Sequence, residues 1–311
     1  PSRCAALPRN RLKVSHMKIN CAVCTTTGTV RRQNQDNFYF CGETKPSLQG
    51  DLSLDRSFTA PTALFSVCDG MGGEKAGEVA SFLAVEALKE YPPESFETHW
   101  PDYIETANER ICAHGRRVHA RVGTTFTGLF LEDRQALAIN VGDSRIYLIR
   151  GGEISQLSRD HTEFQSMVDA GVLTKEDYAR TNSHHYLTQH LGIESEEMEL
   201  EPHLSAAVPA RGDVFLLCSD GLTDMLPDQA IGDLMEQHAD ADSLCSAAID
   251  AGGYDNVSVC VFGVSFRQPF SCRRRIISPR RRCHSCNRFS ISRVFKSFIP
   301  PSLWRYRMPS L

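Results

Sequence analysis

Four aspartates, Asp36, Asp69, Asp220 and Asp255, each stand where a hydrophobic run meets a loop. Their settings are Asn34-Gln35-Asp36-Asn37, Cys68-Asp69-Gly70-Met71-Gly72-Gly73, Cys218-Ser219-Asp220-Gly221 and Gly253-Tyr254-Asp255-Asn256. Carboxylates fixed at the ends of strands form a shell of hard oxygen ligands, the kind that Mg2+ and Mn2+ take. Glycine directly after Asp69 and Asp220 permits a tight turn, and it lets the Gly70 carbonyl approach a cation closely. A single Asp-Gly is an ordinary turn signal. The set of four, in this order, is what points to metal chemistry.

The elements that must position these residues are legible as hydrophobic runs. Ile19–Thr29, Ala63–Cys68, Gly123–Leu131, Gln135–Val141, Arg145–Arg150, Glu153–Leu157, Asp213–Cys218 and Val257–Val264 read as strands. The three runs from Gly123 to Arg150 suggest an antiparallel meander, and Gly151-Gly152 a hairpin turn. Helical spacing begins at about Glu74 and is expected to stop at Pro92-Pro93; a second helix is expected over Asp102–Ala120. Residues 42–61 read as a loop of Gly, Pro, Ser and Asp. The polar stretch 158–192 is expected to be mobile, with helices at Thr162–Ala170 and Lys175–Arg180, and two more helices fall at about 228–238 and 242–251. This order gives an α+β fold with helices packed on sheet faces.

At 311 residues and 41% hydrophobic, the chain is long enough for a full core, and its longest apolar stretches fall short of a membrane helix. Residues 1–16 carry +4 without the apolar core of a secretion signal, so a cytoplasmic setting is expected, with 1–16 an unstructured leader and Met17 a candidate native start. The formal charge of −4 hides +12 in residues 265–311, which leaves −20 on residues 17–266. An acidic body repels nucleic acid and attracts cations. The tail 267–311 lacks any apolar period and reads as disordered, or as an anchor to an anionic surface. Of the twelve cysteines, Cys68, Cys218 and Cys260 lie in apolar runs as small buried hydrophobes. The pairs Cys21/Cys24 and Cys283/Cys286 are the minority case for zinc.

Taken with Val30 to Phe38, Val67 to Gly73, Gly123-Thr124-Thr125, Asn140 to Arg145, Asp160-His161-Thr162, Cys218 to Leu222 and Asp255 to Ser258, the chain resembles the protein phosphatase 2C family, also called metal-dependent protein phosphatases, in its bacterial form. The match covers about 20–264 in the family's order. The resemblance implies a four-layer αββα sandwich of two antiparallel sheets flanked by helices, spanning 17–266, with a flap-like segment at about 160–192. It implies two Mn2+ or Mg2+ ions: Asp69 bridges both, the Gly70 carbonyl is a ligand, Asp220 and Asp255 hold the first, and Asp36 serves the second. Gln35 stands where family members often carry Glu, so the second ion's acidic shell rests on Asp36. Asp143 resembles a ligand of a weaker third ion, shared with Asp220.

The activity implied is hydrolysis of phosphoserine and phosphothreonine by a hydroxide bridging the metals, with Arg31 gripping phosphate oxygens in a bidentate fork. Arg32 is its rival and reads as a solvated charge. The proton for the leaving oxygen has no assigned donor: His114 and His119 fall in the region of the family's candidate acid, while His161, His184 and His185 read as solvent-exposed. Phosphoprotein substrates, an opposing serine/threonine kinase and a monomeric state are the implied partners and assembly. The competing readings are a catalytically weak phosphoprotein-binding module of the same fold, which requires a lost ligand, a tether driven by the basic tail, and a two-metal nuclease, which the acidic body opposes.

Overall fold

Met17, Ile19, Cys21 and Val23 are buried while Lys18 and Asn20 between them are exposed, the period-two pattern of a strand with one covered face. The structure, a computed structural model, describes residues 16–46, 50–72, 76–132, 135–174, 177 and 186–266. In chain order the strands are Met17–Thr26 (β1), Asn37–Phe40 (β2), Glu43–Thr44 (β3), Leu52–Ala60 (β4), Thr62–Cys68 (β5), Gly70–Met71 (β6), Gly123–Thr124 (β7), Phe126–Glu132 (β8), Gln135–Val141 (β9), Arg145–Arg150 (β10), Glu153–Gln156 (β11), His203–Ala207 (β12), Val214–Cys218 (β13) and Val257–Phe266 (β14). The helices are Gly77–Leu88 (α1), Pro93–Val118 (α2), Glu163–Asp169 (α3), Asp220–Thr223 (α4), Asp228–Glu236 (α5) and Ala241–Asp250 (α6).

Two antiparallel sheets result, ordered β11-β10-β13-β14-β1-β4 and β12-β9-β8-β5-β2-β3, with β6 and β7 as a separate pair. Their inner faces share one core, in which the Phe65 and Phe262 rings stack at 4.0 Å and Phe215 packs on Phe262 at 5.6 Å. Each fully buried phenylalanine contributes about 1.5–3 kcal/mol. On the outer face of the first sheet, Leu222, Ile231, Met235 and Leu244 from α4, α5 and α6 cover Tyr147, Leu216 and Val259. On the second, α1 and α2 lie over β2, β5 and β8, and the Tyr103 and Phe126 rings meet at 4.7 Å. This is the four-layer αββα arrangement.

Several elements depart from the sequence reading. Residues 52–60 form a strand rather than a loop, because Leu52, Leu54, Phe58 and Ala60 alternate inward and pair with β1. The Pro92-Pro93 pair starts α2 instead of only ending α1: Pro93 takes the first helical position, where its missing N–H costs nothing. The expected meander divides: β8–β9 lies in one sheet and β10–β11 in the other, and the chain crosses between them at 142–144. Residues 203–207, short and half-buried, add an edge strand on β9. The run Gly123–Leu131 breaks at Thr125. Among the described residues no helix is long and apolar enough to cross a membrane. The leader 1–15, the helix at 175–180, His184, His185, the tail 267–311 and with it Cys283 and Cys286 lie outside the described residues.

Candidate active site

Strand register gathers the aspartates. Asn37 lies opposite Cys68, which brings Asp36 and Asp69 to the same end of one sheet. In the other sheet Cys218 lies opposite Val259 and Arg145, so Asp220, Asp255 and Asp143 all emerge at one edge of the strands that carry them. Burial then raises the pKa values of Asp36, Asp69, Asp143 and Asp220, and neighbouring carboxylates add to the rise. Burial, followed by Asp36, Asp220, Asp255 and Asp143, holds Asp69 well above the usual carboxylate range. Burial, with Asp143, Asp224 and Asp255, does the same for Asp220, opposed by a hydrogen bond with Asp69. Asp143 is pushed up to about 7, by burial and then by Asp160. Asp36 is pushed up to about 6 by burial, with hydrogen bonds from Ser258 and Ser219 opposing.

Among the described residues no three His, Cys, Asp or Glu side chains already close on one point as a finished metal cage. The donor set nevertheless suits hard divalent cations, being carboxylate and carbonyl oxygen. Asp36 Oδ1 and Asp220 Oδ1 are both buried without a hydrogen-bond partner, and an ionised oxygen in that state needs a counter-charge. These residues fit the implied ions.

Asp36, Asp69 and the loops around Asp255 are held by residues whose roles spacing alone does not reveal. Thr124 Oγ1 and Thr125 N donate to the Asp69 carbonyl at 2.7 and 2.8 Å, and Asp69 N donates to Thr125 Oγ1 at 2.8 Å. The Thr125 hydroxyl also pairs with Ser144 Oγ at 2.8 Å, tying Asp69 to the corner that carries Asp143. Ser219 Oγ donates to Asp36 Oδ2 at 2.8 Å. Asn256 accepts from Gln35 N and donates to the carbonyls of Thr27 and Gln33, at 2.8 to 2.9 Å, clamping the loop that holds Arg31 and Asp36. Lys45, only 2% exposed, directs Nζ to the carbonyls of Asn34 and Asp36. Gly70 is required sterically, since a Cβ there would sit 2.1 Å from the Gly77 carbonyl oxygen. Arg31 forms an ion pair with Asp255 at the exposed rim, and Arg32 is exposed.

A family model described as protein phosphatase 2C matches residues 52–247. The chain belongs to the protein phosphatase 2C family. The phosphatase is 34% identical over 218 residues to protein phosphatase PhpP of Streptococcus pneumoniae, across 66% of this chain and 87% of PhpP. It superposes on the crystal structure of the Mycobacterium tuberculosis serine/threonine phosphatase PstP/Ppp with a TM-score of 0.67 at 29% identity, covering 79% of this chain and 98% of that one. A second structure, the catalytic domain of PstP in complex with two manganese ions, gives 0.64 at 30% identity over 80% and 99%. Like these relatives, the chain is a protein serine/threonine phosphatase.

Within the phosphatase, positioning residues missed by sequence reading sit within two residues of Asp36, Asp220 and Asp255 as small polar side chains: Asn34, Ser219 and Asn256. That adjacency was the available signal. Asp224, one helical turn beyond Asp220, adds its charge to Asp143 and Asp220 and was also missed. His161 is not a solvent-exposed residue: Gly142 N donates to its Nδ1 at 3.2 Å, and burial lowers its pKa to about 4. His114 Nδ1 meets Arg117 at 2.8 Å and His119 caps α2 with φ 54°; neither is hydrogen-bonded to the aspartates among the described residues. Cys68, Cys218 and Cys260 are buried free thiols, as are Cys21 and Cys24.

Proposed function

We propose that the phosphatase holds two Mn2+ or Mg2+ ions on Asp36, Asp69, the Gly70 carbonyl, Asp220 and Asp255, with Asp143 and Asp220 offering a weaker third place. The observation that supports this most is the buried cluster itself, in which burial and neighbouring aspartates raise the pKa values of Asp69 and Asp220 and two carboxylate oxygens have no hydrogen-bond donor. Bound divalent ions supply Lewis acidity and bring the pKa of water toward neutrality. Around them, this chain's own groups position and bind. Arg31, at the rim, presents a planar fork to the non-bridging oxygens of a phosphoserine or phosphothreonine phosphate. Its contact with Asp255 aims it from the metal side of the site. Thr124 and Thr125 keep the Asp69 backbone from shifting, and Ser219 keeps Asp36 turned inward.

The domain spans 17–266 in this reading, its substrates are phosphoproteins, and a serine/threonine kinase acts in opposition to it. The test is hydrolysis of a phosphothreonine peptide by the full chain with Mn2+ and with chelator. Loss of activity on chelation, and a fall of at least about 100-fold in Asp220→Asn, are expected. Activity that survives chelation contradicts the two-metal site.

A further inference from the structure

Two large apolar side chains stand in the open beside the Arg31–Asp255 pair. Val30 is 62% exposed and Tyr254 63% exposed, and each is the immediate chain neighbour of one member of that pair. The loops that carry them are zipped together. Thr29 N donates to the Gly253 carbonyl at 2.8 Å, and Thr29 Oγ1 donates to the carbonyls of Gly252 and Gly253 at 2.7 and 3.1 Å. Gly28 permits the approach: a Cβ on it would lie 2.2 Å from the Asp255 carbonyl oxygen. At Gly252, φ is +139° and an added Cβ would meet the Tyr254 ring at 3.0 Å, so the ring rests over bare backbone. The result is a firm apolar rim on the acidic body of residues 17–266.

We infer that Val30 and Tyr254 form the platform that receives an apolar side chain next to the phosphorylated residue of a protein substrate. This rests on the proposed placement of the phosphate at Arg31. Consecutive Cα atoms lie about 3.8 Å apart in both enzyme and substrate. With the phosphate on Arg31, Val30 and Tyr254 lie within the reach of the substrate residues that flank it. A tyrosine ring offers wide contact area at low cost in side-chain entropy, which suits it to recognition surfaces. The selected class is thus phosphoserine or phosphothreonine followed or preceded by an apolar residue.

The experiment compares p-nitrophenyl phosphate, which has no flanking residues, with phosphothreonine peptides carrying leucine or serine beside the phosphothreonine. The full chain with Mn2+ is used, as wild type, Tyr254→Ser, Val30→Ser and Tyr254→Phe. The leucine peptide is expected to lose about tenfold in kcat/KM in the two serine variants, mainly through KM, with Tyr254→Phe close to wild type. Hydrolysis of p-nitrophenyl phosphate is expected to change by less than about twofold. Unchanged hydrolysis of the leucine peptide, or an equal loss on both kinds of substrate, overturns the platform. Failure of the phosphate placement shows separately, as an Arg31→Ala variant that hydrolyses p-nitrophenyl phosphate like the wild type; that result overturns both.

Discussion

Ser219 Oγ donates to Asp36 Oδ2 at 2.8 Å across a sequence separation of 183 residues, joining the loop before β2 to the start of α4. The same hydroxyl accepts from Ser258 N at 2.9 Å, so one small side chain ties three segments that carry aspartates. Ser219→Ala removes one of the two serine hydroxyls that hydrogen-bond Asp36, and leaves Ser258 N without its side-chain acceptor. The expected cost is about 1–3 kcal/mol, read as a lower denaturation midpoint, together with weaker Mn2+ binding. Wild-type stability and Mn2+ affinity in this variant contradict the role assigned to Ser219.

Lys45 is a buried cation behind the site, its pKa lowered to about 8 by burial. It donates to the Asn34 carbonyl at 3.0 Å and to that of Asp36. Lys45→Met preserves the length of the side chain but removes both donors. Leaving two buried carbonyls unpaired is expected to destabilise by about 2–4 kcal/mol, measured by urea unfolding with chelator present. A variant as stable as the parent shows that Lys45 holds nothing in place.

The contribution of the buried carboxylates to metal-free stability is expected to fall as pH rises. Asp36 and Asp143 have folded pKa values of about 6 and about 7, raised by burial first, above the ordinary 3.8. Through these two groups the folded chain binds more protons than the unfolded chain between about pH 4 and 7, so their contribution to the slope of stability with pH is negative there, while His161, lowered to about 4 by burial, contributes in the opposite sense. Mn2+ competes with those protons, so its stabilising effect grows over the same range. Melting temperatures at pH 5, 6, 7 and 8, with chelator and with Mn2+, test this. A metal-free pH dependence between 5 and 7 that is the same in Asp143→Asn as in the wild type contradicts the raised carboxylate.

Much of the fold was written in local pattern. β9 and β10 begin and end where alternation and turn residues place them, at Gln135–Val141 and Arg145–Arg150. β4 was harder because Ser53, Asp55, Arg56 and Ser57 give this edge strand a loop-like composition, and only the inward alternation of Leu52, Leu54 and Phe58 reveals it. The start of α2 was hidden because proline signals both a stop and a first turn. The division of the expected meander depends on which sheet β10 joins, a choice made by its pairing with β13 some 65 residues later in the chain. At the site, the aspartates stood out by their glycines and by their order. Thr125, Ser219, Asn256 and Lys45 act through hydrogen bonds to segments distant in sequence, which no local spacing encodes.

The central claim is that the aspartate cluster binds two divalent cations through Asp69. Calorimetric titration of the metal-free full chain with Mn2+, for wild type and Asp69→Asn, tests it most directly. Two tight sites are expected in the wild type and loss of both in Asp69→Asn, with circular dichroism unchanged; a variant that still binds two Mn2+ with wild-type affinity contradicts the two-metal site.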